Sequence, residues 1–352
     1  MLNIYTQIPD LATINRKYLV DILKPIFPEK RLAKYGLSNE YIKIVDMPNR
    51  ADYFLLPFSW NYYISYDNLK EALDYINKAK SFGKNIIIFF TGDYYYSMPK
   101  HDNIIGLHTS IYKSKKNVKS IPLPVIIQDP LLKLEKEEIS ISKYNKRPSI
   151  GFCGQSDPNL IISSIKMAQL IWQNMKYSLN LSNYYLGPAI PPTLLRKKAL
   201  DILDNSNKVH SNFIRRTRYQ GGVSKEDKNF KMIRKEFYQN IEKNHYTLCV
   251  RGTGNFSARF YETLSLGRIP VLINTDCILP FANQINWREH IICIEQNELA
   301  DIDYKILDFH TSLSQDSLAH IQKMNRKLWK NKFSFPGFVR QLTSNLKEAV
   351  NS

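Results

Sequence analysis

Along the first half of the chain, short apolar runs alternate with segments whose apolar residues recur at helical spacing. Residues 2–6, 41–45, 53–57, 85–91 and 104–108 are runs of strand length. Between the third and fourth, Leu69, Ala72, Leu73, Ile76 and Ala79 share one helix face, which predicts a helix over 66–81. Strands that are apolar throughout and separated by helices belong to a parallel sheet covered on both faces.

From 135 to 147 the sequence EKEEISISKYNKR turns charged and polar, the composition of a linker. A second α/β series then opens at 148–153. It has predicted helices over 158–176, 192–205, 225–243 and 257–266, and strands over 246–250, 269–273 and 290–294. Two last helices, 314–330 and 338–350, close the chain. At 352 residues the chain exceeds what one core usually carries. The expected fold class is α/β, with two Rossmann-like domains facing across a cleft: residues 1–145, residues 146–335, and a helix within 336–352 returning to the first domain. Ligands in such a frame bind beyond the C-terminal strand ends.

One segment concentrates the chemistry, residues 246–281 (YTLCVRGTGNFSARFYETLSLGRIPVLINTDCILPF). A buried strand leads into Arg251-Gly252-Thr253-Gly254, a turn whose two glycines permit positive φ and close backbone approach. Asn255 or Ser257 caps the following helix, Gly267 ends it, and 269–273 returns as the next strand. Strand, glycine turn and helix N-terminus together offer free N–H groups and a positive helix end to phosphate. On the helix, Arg259 and Glu262 share one face. In isolation such a pair is a surface salt bridge of little weight. Behind a glycine turn, Arg259 can reach a diphosphate while Glu262 can accept ribose hydroxyls.

This segment resembles the exostosin family of glycosyltransferases (family 47). That family's R-x-x-E, G-x-I-P-V and L-P-F stand here as Arg259-Phe260-Tyr261-Glu262, Gly267-Arg268-Ile269-Pro270-Val271 and Leu279-Pro280-Phe281. Trp287 and residues 291–295 continue it. Looser echoes are ADYFLLPF at 51–58, FFTGD at 89–93 and RPSIGFCG at 147–154. The resemblance implies a GT-B fold, with the acceptor on the N-terminal domain and the nucleotide sugar on the C-terminal one. It implies an inverting, metal-independent transfer needing no cofactor, from a UDP-linked sugar to a glycan or lipid-linked hydroxyl in surface glycan synthesis. Asp301-Ile302-Asp303 has the D-x-D form of metal-dependent transferases, but it follows the last strands and reads as helix N-terminal charge. The sequence shows neither the membrane anchor nor the paired cysteines of animal members. Heparan-type substrates are therefore not carried over, and a cytoplasmic enzyme, peripheral at the membrane, is expected.

The donor candidates are Arg251, Gly252, Gly254, Asn255, Ser257, Arg259, Glu262 and Asp276, with Arg216 and Arg218 from RRTRYQGG, a stretch that reads equally as a solvated basic loop. Preorganised charge at the departing diphosphate is usually the largest catalytic contribution. The base should be a carboxylate or imidazole at a strand end facing the cleft. Asp93 is the first choice, with His101, Asp102 and His108 behind it; Asp52 precedes a strand and is expected to be structural. Tyr94, Tyr95 and Tyr96 suit sugar stacking or simple packing.

A net charge of +17 draws the chain toward polyanions, including anionic membranes that carry a lipid-linked acceptor. A nucleic-acid-binding protein is the rival this charge and 22 tyrosines suggest, yet no zinc, RNP or helix-turn-helix pattern appears. A non-catalytic glycan- or nucleotide-binding module is the second rival, opposed by the retained Arg259, Glu262 and glycine turn. The four cysteines stand singly without metal-ligand spacing and are expected to be reduced thiols. No apolar run approaches the length of a membrane span.

Overall fold

The computed structural model describes residues 1–8, 16–27, 29–116, 119–156, 160–224 and 226–351. In chain order the first part holds β1 (Leu2–Tyr5), β2 (Ile42–Ile44), β3 (Tyr53–Leu55), α1 (Trp60–Ser65), α2 (Leu69–Ser81), β4 (Ile86–Phe90), β5 (Tyr95–Tyr96), β6 (Ile104–His108), β7 (Ser120–Pro122) and α3 (Pro130–Leu134). Six of these strands form one sheet in the order β2-β1-β3-β4-β6-β7, and every pairing is parallel. Every residue of β3 and β4 is buried, which is why both read as unbroken apolar runs.

The second part holds β8 (Ser149–Gln155), α4 (Leu160–Ser178), β9 (Tyr184–Tyr185), α5 (Pro192–Asp204), β10 (His210–Arg216), α6 (Phe230–Glu242), β11 (Tyr246–Cys249), α7 (Ala258–Ser265), β12 (Ile269–Asn274), β13 (Ile292–Glu295), α8 (Ile302–Thr311), α9 (Gln315–Leu328) and α10 (Phe335–Asn351). Its sheet is also all parallel, in the order β10-β8-β11-β12-β13. The helix predicted over 158–176 begins outside the described residues, as does the one over 225–243; the described helices start at Leu160 and Phe230.

Strand β10 is a correction to the reading of RRTRYQGG as a loop: Arg215 and Arg216 end an edge strand. Its residues are mostly half-buried, so it lacks the apolar run that marks a central strand. Helix α1 and strand β7 also lie where no element was predicted, while α8 starts where Asp301-Ile302-Asp303 was read as helix N-terminal charge.

The polar stretch after α3 is stitched along the second domain. Arg268 is almost fully buried and donates to the carbonyls of Ser140 (2.9 Å), Glu242 (2.7 Å) and Leu266 (3.3 Å). His245 Nε2 meets Lys143 O and His310 Nε2 meets Asn145 O, both at 2.7 Å. At the other end of the chain, α10 returns to the first sheet. Its buried Phe338, Val339, Leu342 and Leu346 join the core of Leu2, Ile4 and Tyr53, and Tyr53 Oη donates to Leu346 O at 2.8 Å.

The C-terminal strand ends of the two sheets meet. Tyr112, beyond β6, bridges Cys277, beyond β12, and Lys113 N donates to Asp276 O at 2.8 Å. Asn255 N donates to Ser110 Oγ (2.9 Å), Asn255 Nδ2 donates to Ile111 O (2.8 Å), and Asn255 Oδ1 accepts from Thr275 Oγ1 (2.7 Å). The two domains therefore face each other across a cleft whose floor is these loops. At its side, β5 pairs antiparallel with β9, joining the domains a second time.

Candidate active site

Arg259 lies in the first turn of α7 and reaches back over β8. Its Nη2 donates to Cys153 O at 2.8 Å and its Nη1 to Leu248 O at 3.3 Å, and the guanidinium lies 4.1 Å above the Phe152 ring. A Cβ on Gly154 would stand 2.7 Å from Nη2, so only glycine at 154 lets the guanidinium lie there. Burial lowers the Arg259 pKa. Its hydrogen bonds go to main-chain carbonyls, not to a carboxylate, so no bonded partner cancels its charge.

Glu262 is buried and does not pair with Arg259. Its Oε1 accepts from Arg234 Nη2 at 2.6 Å, and Arg234, on α6, also donates to the Tyr238 hydroxyl. The Arg234 guanidinium sits over the rings of Phe237 and Tyr238. Burial works against its charge, but Glu262 and Tyr238 together outweigh that and its pKa is raised. Arg216, at the end of β10, pairs with Glu236 of α6. Burial raises the Cys153 thiol pKa, and Arg216, Arg259 and Arg234 act against that rise. Three arginines and two glutamates thus gather around the C-terminal end of β8. Arg234, Glu236 and Gly154 were not singled out from the sequence: an arginine inside a Lys-rich helix carries no local mark, and Gly154 read only as strand.

The other donor candidates take different places. Arg251 is buried and bonds the carbonyls of Gly252, Thr253, Pro188 and Ile190 at 2.9–3.3 Å, so it builds the turn from inside. Neither Gly252 nor Gly254 has positive φ, contrary to expectation. Gly254 is needed for closeness instead: a Cβ there would lie 2.4 Å from the Phe256 ring and 3.0 Å from Asp93 Cα. Ser257 holds the N-cap position of α7 without a side-chain capping bond. Asn255 commits its amide to the interdomain bonds above. Asp276, in left-handed backbone (φ 64°), accepts from Ser114 N (3.1 Å) and Oγ (2.5 Å), again across the domains. Arg218 is exposed, and Arg215 pairs outward with Asp201 and Asp204 of α5.

Asp93 follows β4 at the cleft edge, against the Gly254 turn. Desolvation raises its carboxyl pKa, partly offset by the Gly254 N–H, while its other side is open to solvent. His101 and Asp102 precede β6 and so lie at the opposite, N-terminal edge of the parallel sheet, where Asp102 pairs with Lys80 at 2.9 Å. The structure thus separates both from Asp93: in a parallel sheet, residues before and after strands cannot share an edge. His108 is fully buried, stacked on Phe90 at 4.3 Å, and burial pushes its pKa down to about 3. Asp52 accepts from Asn3 N at 2.8 Å, a structural contact. Asp303 accepts from Ser206 and Lys208 at the start of α8.

A cavity of about 430 Å³ lies away from the arginine cluster, in the first domain beyond the ends of β1 and β3. Gln7, Pro57, Tyr63, Lys70 and Asp74 line it, on the same sheet edge as Asp93.

Two parallel Rossmann-like sheets with a charged cluster at their facing C-terminal ends define a GT-B architecture. Residues 190–308, about a third of the chain, match the Exostosin GT47 domain. A probable glucuronosyltransferase of Oryza sativa subsp. japonica (Os04g0398600) is 30% identical over 88 residues, 25% of this chain and 20% of that protein. The probable beta-1,4-xylosyltransferase IRX10 of Arabidopsis thaliana is 31% identical over 67 residues, 19% of this chain and 16% of that protein. The chain spans about a fifth of the length of the curated relatives it matches. Among solved structures, a glycosyltransferase from Rickettsia africae ESF-5 aligns over 99% of this chain and 98% of its own, with 13% identity and a TM-score of 0.40.

Proposed function

We propose that the protein transfers a sugar from a nucleoside-diphosphate sugar to an acceptor hydroxyl. The observation that carries this reading is Arg259, held in the first turn of α7 without a bonded carboxylate and flanked by Arg216 and Arg234. A diphosphate leaving group needs positive charge already in place, because reorganising it during reaction would cost barrier height. Glu262, held in place by Arg234, accepts ribose hydroxyls. UDP is the donor nucleotide this reading takes from the family resemblance. Asp93 stands across the cleft as the base that removes the acceptor proton. The acceptor oxygen then attacks C1 opposite the departing diphosphate, inverting the centre. The 430 Å³ cavity on the Asp93 edge supports a glycan or lipid-linked acceptor held by the first domain.

The reading includes metal independence, since the D-x-D tripeptide has Asp303 committed to Ser206 and Lys208 rather than to the cleft. It places the enzyme in the cytoplasm, at a membrane surface, in surface glycan synthesis. Thermal unfolding with UDP and other nucleoside diphosphates, with and without EDTA, tests it. A ligand bound only by the folded state stabilises it by about 2.7 kcal/mol at a hundredfold excess over Kd. The expected outcome is an EDTA-insensitive rise with one nucleotide class, lost in Arg259→Ala. No rise with any nucleotide would overturn the reading in favour of a non-nucleotide ligand.

A further inference from the structure

Helix α4 is attached inside out. Polar residues of its C-terminal half face the protein: Asn174 Nδ2 donates to Gly187 O (2.7 Å), Gln173 Nε2 to Ser182 Oγ (2.6 Å), and the Tyr177 hydroxyl meets Ser97 Oγ (2.9 Å). Ser163 is buried on that same side. The opposite side carries Ile161, Ile165, Ala168, Trp172, Met175 and Leu179, spaced by three or four residues and so aligned in one stripe. These large side chains are exposed, at 74% for Ile161, 59% for Trp172 and 65% for Leu179. An apolar stripe of this size turned to water marks an interaction surface.

Charge selects the partner. Residues 160–181 contain no Asp or Glu, while Lys176 borders the stripe with its Nζ 5.2 Å from the Trp172 ring, and Lys166 is exposed further round the helix. Lys115 lies over the rings of Tyr177 and Tyr185, at the helix's attached side. A chain of net charge +17 that presents Trp, Ile and Leu on a helix without acidic residues, with Lys176 at its border, matches an anionic bilayer surface, where apolar side chains enter the headgroup boundary and lysines meet lipid phosphates. No described helix is long and apolar enough to cross a membrane, so the contact is peripheral.

We infer that α4 docks the protein on anionic membranes, its apolar stripe lying in the interface plane. Tyr184, just beyond the helix, stacks on Tyr94 at 5.3 Å, and Tyr94 follows Asp93. Docking through α4 therefore sets the mouth of the cleft beside the lipid surface. The docking rests on α4 alone and not on the transferase reading, so a protein that bound vesicles without binding nucleotide would separate the two.

Trp172 is the probe. Trp60 and Trp329 are buried and Trp287 is partly buried, which leaves Trp172 as the exposed indole of the four. With phosphatidylcholine vesicles containing about 30% phosphatidylglycerol, tryptophan emission is expected to shift to the blue and the full chain to sediment with the vesicles. Binding to pure phosphatidylcholine is expected to be at least tenfold weaker, because the lysine contribution is absent. Ile165→Ser with Leu179→Ser, which keeps Trp172 and alters only exposed positions, should weaken anionic-vesicle binding at least tenfold. Lys166→Gln with Lys176→Gln should weaken it and flatten its salt dependence. Two results would overturn the inference: no emission shift with either vesicle, or a vesicle-independent dimer that Ile165→Ser with Leu179→Ser converts to monomer.

Discussion

Glu262 Oε1 accepts from Arg234 Nη2 at 2.6 Å, while Arg259, three residues earlier on the same helix, turns away onto the carbonyls of Cys153 and Leu248. The two residues of the R-x-x-E motif are therefore not each other's partners. Each is fixed by a different element, α6 for the carboxylate and β8 for the guanidinium. In the proposed reading this division leaves Arg259 for a diphosphate and Glu262 for a sugar diol, because neither is used up neutralising the other.

The division can be measured. Glu262→Gln should weaken binding of the cognate nucleoside diphosphate by about tenfold or more, the scale of a charge-assisted hydrogen bond. It should leave inorganic pyrophosphate binding nearly unchanged, since the arginines are intact. Arg259→Ala should weaken both. Calorimetric titration of the two ligands checks this, and equal losses for both ligands in Glu262→Gln would end the assignment of Glu262 to the ribose.

Gly154 controls where Arg259 can lie. A methyl group at 154 would stand 2.7 Å from Nη2, so Gly154→Ala should push the guanidinium off its carbonyls at a cost of about 1–3 kcal/mol. Its loss of diphosphate affinity should approach that of Arg259→Ala. In the Arg259→Ala background the same change should do little, because the group it displaces is gone. Additive losses in the double variant would show that Gly154 acts on binding by another route.

The parts of this architecture that the sequence makes legible share one physical trait, continuous burial. Strands β4 and β12 are buried almost throughout and stand out as apolar runs, and α7 lies between a glycine turn and Gly267. Strand β10 is an edge strand with half-wet residues, and its two terminal arginines disguise it as a loop. Tertiary partners leave no local trace: Arg234 belongs to Glu262, 28 residues on, and Asn255 to Ser110 and Ile111 of the other domain. His101 and Asp102 show a further limit, since a strand's residues do not reveal which sheet edge meets the cleft.

Three buried imidazoles set a pH limit on stability. Burial lowers the pKa values of His108, His245 and His310, with His108 down to about 3. In the unfolded chain these rings gain protons as pH falls through about 6.5, whereas the folded chain keeps them neutral. The unfolded state then binds more protons, so stability is full above about pH 6.5 and falls below it, by at most about 1.4 kcal/mol per pH unit for each histidine. Carboxyls held low by lysines, Asp102 beside Lys80 and Glu298 beside Lys305, begin to contribute only below about pH 4.5. Urea midpoints between about pH 7.5 and 5 isolate the histidines. A midpoint that stays level down to pH 5 would show that these rings are not held neutral.

Asp93 gives the sharpest test of the proposed chemistry. Its carboxyl is desolvated against the Gly254 turn and its pKa is raised above the ordinary aspartate value. A base must be ionised to accept a proton, so the transfer rate should fall as pH drops through that raised pKa, at a higher pH than an ordinary carboxylate would give. Asp93→Asn should lower kcat by about 10²–10⁴-fold and remove this acidic limb, with diphosphate binding unchanged because Arg259 is untouched. His101→Ala and Asp102→Ala alter the far edge of the sheet and should leave kcat within about threefold. The measurement is the pH dependence of kcat in all four proteins. If Asp93→Asn kept the acidic limb while His101→Ala or Asp102→Ala lost it, the base would lie at the other edge and the cleft would have been assigned to the wrong side of the sheet.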